Sequence, residues 1–236
     1  LNFFEHIDNE AKAYILGWWY SDGNTYCVKR AYSAKIALHG KDKEILNKIA
    51  PYLMRNPIVR EYQRETGFKK EKKPIVILEL GSKKMVHDLI ALGCVQNKSL
   101  ILKFPTVNIV PDALMCHFLR GYFDGDGCIY YCFTKQKYLW ASISIASSPD
   151  FCHSLSNYLS KIGIKNSVTQ SPNHRNKVVS VAGLKQVIKC IDFLYGKMAT
   201  DLFLERKRSK CISFLQKHHI HSRAVEYPKS LISWLK

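Results

Sequence analysis

Two stretches of the sequence, about a hundred residues apart, carry the same punctuation: a glycine, a small residue four positions on, then an acid followed by glycine. The first reads Ile15-Leu16-Gly17-Trp18-Trp19-Tyr20-Ser21-Asp22-Gly23 and the second Leu119-Arg120-Gly121-Tyr122-Phe123-Asp124-Gly125-Asp126-Gly127. Asp8-Asn9-Glu10 precedes the first, with Asp8 as the expected N-cap, and Pro111-Asp112 precedes the second. These are helix-start signals, and Asp-Gly is a helix stop. Ala13, Gly17 and Ser21 recur at i, i+4 and i+8, so they share one helix face, as Gly121 and Gly125 do. Small residues on a face let two helix backbones approach closely. Two such helices side by side bring Asp22 and Asp126 together. Carboxylates that close repel unless a cation lies between them. Their hard oxygens suit Mg²⁺, or another divalent cation such as Mn²⁺.

The element order beyond each motif repeats as well. After a helix at 11–20 come strand-like alternations at 25–29 and 33–39, then a helix at 42–54 with Ile45, Leu46, Ile49 and Leu53 at helical spacing. A hairpin from 58–64 and 75–80 encloses a lysine-rich loop at 65–73, and a helix covers 83–92. After the second motif helix, 114–123, come strands at 129–133 and 139–146, a helix at 151–162, a hairpin from 168–170 and 178–181 turning at 173–176, and a helix at 184–194. The expected fold class is α+β, two pseudo-symmetric αββαββα repeats. A repeat this long implies two similar subdomains and not a solenoid. The boundaries expected are 1–105, 106–210 and a mostly helical tail, 211–236.

Charge narrows the choice of partner. Lys plus Arg is 36 and Asp plus Glu 19, so the net charge is 36 − 19 = +17. A hydrophobic fraction of 47% excludes intrinsic disorder. No apolar run reaches the ~18 residues of a membrane span, and the charge is spread along the whole chain instead of one amphipathic segment. A distributed positive surface matches a polyphosphate partner, which it binds through counterion release. Eight cysteines with no Cys-x-x-Cys pair read as reduced thiols, and the first residues show no secretory pattern, so the expected location is intracellular. Cys211 with His218, His219 and His221 is a weaker metal candidate.

The two motifs resemble those of single-chain LAGLIDADG homing endonucleases. The resemblance spans roughly residues 8–210 and includes Asp42-Lys43-Glu44-Ile45-Leu46 and the stretch 93–98. It implies antiparallel sheets forming a DNA-binding saddle, a monomer with internal pseudo-two-fold symmetry, and metal-dependent cleavage of both strands of a long double-stranded DNA target. By motif position Asp22 and Asp126 are the metal ligands, helped by the backbone carbonyls of Ser21 and Gly125. Lys98 and Lys207 match the basic residue beside each site, with Arg206 as a rival to Lys207. The motif's first acidic position is Asp124 in the second repeat but Tyr20 in the first, so Asp124 is read as a capping or packing residue. The second strand commonly ends in a polar residue, often Gln; here those regions read His39-Gly40-Lys41 and Ser147-Ser148. Alternatives of the same fold are a maturase acting on intron RNA and a non-cleaving DNA-binding regulator. Both motif acids are present, which favours cleavage.

Groove reading needs side chains alternating off one sheet face. Tyr26, Val28 and Arg30 share a parity in one strand, and Ser33, Lys35 and Ala37 in the next. Tyr130, Cys132 and Thr134, then Trp140, Ser142 and Ser144, do so in the second repeat. Arg60, Tyr62 and Arg64 add another set, matched by Thr169, Ser171, Arg175 and Lys177. Two non-identical halves imply an asymmetric target.

Overall fold

The structure is a computed structural model. It describes residues 2–29, 31–66, 71–136, 138–171, 175–221 and 226–235, with the side chains of Thr66 and His221 outside the description. The first series is α1 (Glu10–Ser21), β1 (Gly23–Val28), β2 (Ala31–His39), α2 (Lys43–Leu53), β3 (Val59–Thr66), β4 (Glu71–Leu80) and α3 (Lys83–Ala91). The second is α4 (Met115–Asp126), β5 (Gly127–Phe133), β6 (Leu139–Ser147), α5 (Pro149–Lys161), β7 (Ser167–Gln170), β8 (Lys177–Ala182) and α6 (Leu184–Tyr195). A last helix, α7 (Glu205–His221), completes the order. The αββαββα series thus occurs twice, as the sequence pattern implies.

Two local readings change. The N-cap of α1 is Asn9, whose side chain accepts from the Lys12 amide, while Asp8 pairs with Lys12 Nζ at 2.8 Å. Of the expected lysine-rich loop at 65–73, residues 65 and 66 belong to β3 and residues 71–73 to β4, while 67–70 lie outside the described residues. Glu65 stands opposite Lys72 there, a cross-strand charge pair that favours continuing the ladder.

Each series forms one antiparallel four-stranded sheet, in the orders β1-β2-β4-β3 and β5-β6-β8-β7. In the first, Ala34, Ile36, Leu38, Val76 and Leu78 are buried and α2 and α3 cover that face. In the second, Ala141, Ile143, Val179 and Val181 are buried beneath α5 and α6. The opposite face of each sheet carries the alternate residues, which are exposed or half-buried.

The chain divides into two compact units, Leu1–Lys98 with Pro105–Gly125 and Leu202–Leu204, and Ser99–Phe104 with Asp126–Asp201 and Glu205–Lys236. Both motif helices therefore belong to the first unit, α4 up to Gly125. They meet backbone to backbone. A Cβ on Gly17 would lie 2.2 Å from the Phe118 carbonyl oxygen, and one on Gly121 2.0 Å from that of Tyr14. Neither neighbour is a side-chain tip that could swing away. Gly121→Val is expected to destabilise by ~3 kcal/mol, the upper end of overpacking costs, read as a fall of roughly 6–12 °C in melting temperature for a chain of this size. An unchanged melting temperature would count against the close helix pair.

A second clamp was not visible in the sequence. Arg120 on α4 is fully buried; its Nη2 donates to Glu10 Oε1 at 2.7 Å, its Nε to the Leu202 carbonyl at 3.2 Å, and its guanidinium lies 5.1 Å from the Tyr14 ring centroid. This buried pair ties the first turn of α1 to the middle of α4.

In the second unit, α7 packs on β5, where Tyr131 donates to Ser213 at 2.9 Å. The segment Lys229–Leu235 folds back, with Trp234 4.8 Å from the Arg208 guanidinium and 5.6 Å from the Tyr195 ring. The C-terminal residues are therefore part of the unit's packing. Among the described residues, no helix is long and apolar enough to cross a membrane.

Candidate functional site

Asp22 caps the C-terminus of α1, its backbone N–H donating to the Trp18 carbonyl at 3.1 Å, and its side chain is half-buried. A carboxylate at a helix C-terminus faces the negative end of the macrodipole, so the position is unfavourable for it alone and favourable for a cation beside it. Gly125 of α4 lies directly against it. A Cβ there would sit 2.0 Å from Ser21 Oγ and 2.7 Å from Asp22 Oδ2. The close approach of α4 to the Ser21 hydroxyl and the Asp22 carboxylate is thus possible only because residue 125 has no side chain. Asp126 is the last residue of α4, exposed, and opens the second unit.

Asp124 is not available as a ligand. It is fully buried and accepts from the Tyr14 hydroxyl at 2.8 Å and the Leu204 amide at 2.8 Å. Burial and the Asp124 carboxylate hold the Tyr14 phenol well above its ordinary value, so Tyr14 keeps its proton and donates.

Tyr20, at the matching position in α1, does a parallel task. Its hydroxyl donates to the Leu92 carbonyl, and burial holds its phenol well above the usual range. Gly93 beside it has φ +101° and no room for a Cβ, which would meet the Tyr20 oxygen at 2.6 Å. Thr25 donates to the Cys94 carbonyl. These bonds dock the loop that carries Lys98, whose half-buried Nζ donates to the Gly23 carbonyl, one residue beyond Asp22. Asp124 likewise anchors Leu204, three residues ahead of Lys207 in the chain. Lys207 is buried and Arg206 exposed, so of the two rivals only Lys207 faces inward from α7. In both repeats, then, the residue at the motif's first acidic position holds the segment that leads to Lys98 or Lys207. A hydrogen-bonding residue aligned with an acid is the signal that could have suggested it.

The regions where a strand-ending glutamine is common serve as caps. His39 Nδ1 accepts from the Lys41 amide at 3.2 Å, and the buried Ser148 caps α5, accepting from the Phe151 amide and donating to the Leu102 carbonyl.

The strand registers test the surface sets. Tyr26 stands opposite Ser33, Lys35 opposite Glu79, Arg60 opposite Ile77, Tyr62 opposite Ile75 and Arg64 opposite Lys73. Directly opposed residues share a face, so Tyr26, Val28, Ser33, Lys35, Arg60, Tyr62 and Arg64 lie on one outward sheet face. Arg30 lies outside the described residues. Asn24 and His39 join that face by the parity of their own strands, and Lys73, Ile75 and Ile77 join it through the β4 register, which no single strand reveals. In the second sheet Tyr130 is opposite Ser142, Cys128 opposite Ser144, Cys132 opposite Trp140 and Thr169 opposite Val178, again one face. Thr134 lies just past β5 in the hairpin, accepting from the Tyr138 amide at 3.2 Å, and Arg175 is exposed in the β7–β8 turn. Lys177 does not join them. It pairs with Ser147 and Gln170 and has the parity of the buried Val179 and Val181, because β8 begins one residue out of phase with the expected set. Ser171 is buried beyond the end of β7.

Among the described residues, no group of three or more His, Cys, Asp or Glu side chains is arranged to hold a metal ion. His218, one of the weaker candidates, hydrogen-bonds Tyr227 through Nδ1.

Residues 113–206 match the family model described as a LAGLIDADG-like domain. Among solved structures, the chain is similar to the LAGLIDADG homing endonuclease I-GzeII in complex with its DNA target, at 10% identity over 97% of this chain and 96% of that one, TM-score 0.55. It is similar to the homing endonuclease I-WcaI bound to its DNA recognition sequence, at 13% identity over 87% of each chain, TM-score 0.63. It is also similar to I-SmaMI bound to an uncleaved DNA target in the presence of calcium ions, at 9% identity over 91% of this chain and 94% of that one, TM-score 0.57. At these identities the likeness is one of fold. No curated protein matches the chain in sequence.

Proposed function

Because this chain has the LAGLIDADG homing-endonuclease fold over most of its length, we propose that it is a site-specific endonuclease that hydrolyses both strands of a long, asymmetric double-stranded DNA target. The observation that carries this reading is the contact at the ends of the two glycine-faced helices, where Gly125 lets α4 lie directly against the Asp22 carboxylate. Asp22 and Asp126 would hold a divalent cation, Mg²⁺ or Mn²⁺, with help from the carbonyls of Ser21 and Gly125. When bound, the cation supplies positive charge for the oxygens that develop charge and makes water more acidic. Lys98 and Lys207 stabilise the phosphate charge or tune the attacking water. The outward sheet faces contact the duplex, and the excess of 17 positive charges supplies sequence-independent affinity. One chain with two unlike repeats supports a monomer with internal pseudo-symmetry, and its eight cysteines, all thiols, support a reducing, intracellular setting.

The test is incubation of the full chain with long random duplexes and Mg²⁺, then sequencing of the cut ends. The expected result is a single long asymmetric site cut on both strands, with cutting stopped by EDTA. Specific binding without cutting in Mg²⁺ and Mn²⁺ would replace this reading by that of a regulator, and preference for folded intron RNA by that of a maturase.

Lys98 gives a sharper check. Lys98→Met is expected to lower the single-turnover cleavage rate at saturating enzyme by roughly 10- to 1000-fold, as for loss of an electrostatic catalytic group. The dependence of affinity on salt should barely move, whereas loss of a phosphate-clamping lysine would change the slope by about one. Lys207→Met should behave alike. A normal saturated rate with a reduced salt slope would return both lysines to backbone binding.

A further inference from the structure

The two outward sheet faces have different chemistry. On the first, the ladder positions include Lys35, Arg60, Arg64 and Lys73, with Glu71 and Glu79 among them. Arg60 is well exposed, its Nη1 3.8 Å from Glu79. On the second, the outward ladder positions of β5 and β6 are Cys128, Tyr130, Cys132, Trp140, Ser142, Ser144 and Ala146. Those of β7 and β8 are Ser167, Thr169, Val178, Ser180 and Ala182. None of these carries a charge. Described basic residues near that sheet stand off the outward ladder: Lys135 and Arg175 in its turns, Lys177 on the other parity, and Lys217 of α7 over the Tyr131 ring on that same covered side.

The difference bears on recognition because base pairs differ in what they ask of a protein. In the major groove guanine presents two acceptors, O6 and N7, best met by Arg or Lys, while thymine presents a methyl group that favours apolar contact. A guanine dehydrated against a face without long donors leaves acceptors poorly satisfied. Ala146, Val178, Ala182 and the Tyr130–Trp140 pair, with ring centroids 5.9 Å apart, instead offer apolar surface, and short hydroxyls add contacts that suit any pair.

Resting on the proposed DNA-cleaving function, we propose that the target is chemically divided: the half read by the first sheet contains guanines contacted by Arg60, Arg64 and Lys35, and the half read by the second sheet is rich in A·T pairs. The turn residues of the second unit, Arg175 and Lys135, contact phosphate and carry no base preference.

The experiment is selection of bound sequences from long random duplexes by the full chain in EDTA, repeated for Arg60→Ala and Ser144→Arg. Arg60 is exposed and Ser144 half-buried on an outward face, so neither substitution touches the core. The wild type should enrich a site with guanines confined to one half. Arg60→Ala should relax one guanine position about tenfold, as for loss of a bidentate contact, and leave the A·T half unchanged. Ser144→Arg should create a guanine preference within the A·T half. Guanines required equally in both halves, or an A·T half that changes with Arg60, would overturn the division. Failure to enrich any duplex would instead overturn the DNA reading itself, and this inference with it.

Discussion

Asp22→Asn protein is expected to bind its DNA with near-normal affinity and to cut it about 10³-fold more slowly, the equivalent of roughly 4 kcal/mol of lost transition-state stabilisation. The substitution keeps the shape of the α1 cap, including the contact that Gly125 permits, and removes only the charge. Binding is spared because affinity comes from many basic residues over the chain. Asp126→Asn should match it, since Asp126 ends α4 as Asp22 ends α1. Asp124→Asn should differ in kind: that side chain holds Tyr14 and Leu204, so its loss lowers stability first. The measurements are single-turnover cleavage and equilibrium binding on the same duplex. An Asp22→Asn enzyme that still cuts both strands at a normal rate would remove the two-acid site.

Glu10→Ala should cost ~3–5 kcal/mol of stability, because it leaves the fully buried Arg120 guanidinium without its carboxylate. Replacing both Glu10 and Arg120 by Met should cost much less than the single change, since the penalty lies in an uncompensated buried charge and not in lost attraction. Denaturant unfolding of the two variants tests this. If the double variant is as unstable as Glu10→Ala, the pair is not the source of the cost. Because Glu10 opens α1 and Arg120 sits mid-α4, the destabilised protein should also lose cleavage more steeply with temperature than Lys98→Met does.

Much of this architecture was legible in one dimension. The repeat, the helix faces built on Gly17 and Gly121, and the acids that close each helix are local patterns, and period and capping chemistry make such patterns visible without tertiary structure. The parity of Tyr26, Val28, Ser33 and Lys35 was visible for the same reason, as alternation within a strand needs no partner.

Other features depend on what a residue meets far along the chain. Nothing in the sequence marks Arg120 as the partner of Glu10, 110 positions away, or Tyr20 as the clamp on Leu92, 72 positions away. Lys177 reads as a surface lysine at a strand end, and only its pairing with Ser147 turns it to the other side of the sheet. That Lys207 is buried and Arg206 exposed on α7 is likewise invisible in the sequence. The two repeats, their order and the acids at the helix ends come from spacing and local backbone chemistry, so the linear chain already contains them. Register, buried charge pairing and the docking of the lysine-bearing segments belong to the folded molecule, because each depends on a contact whose two sides are separated in the chain by more than any local pattern can span.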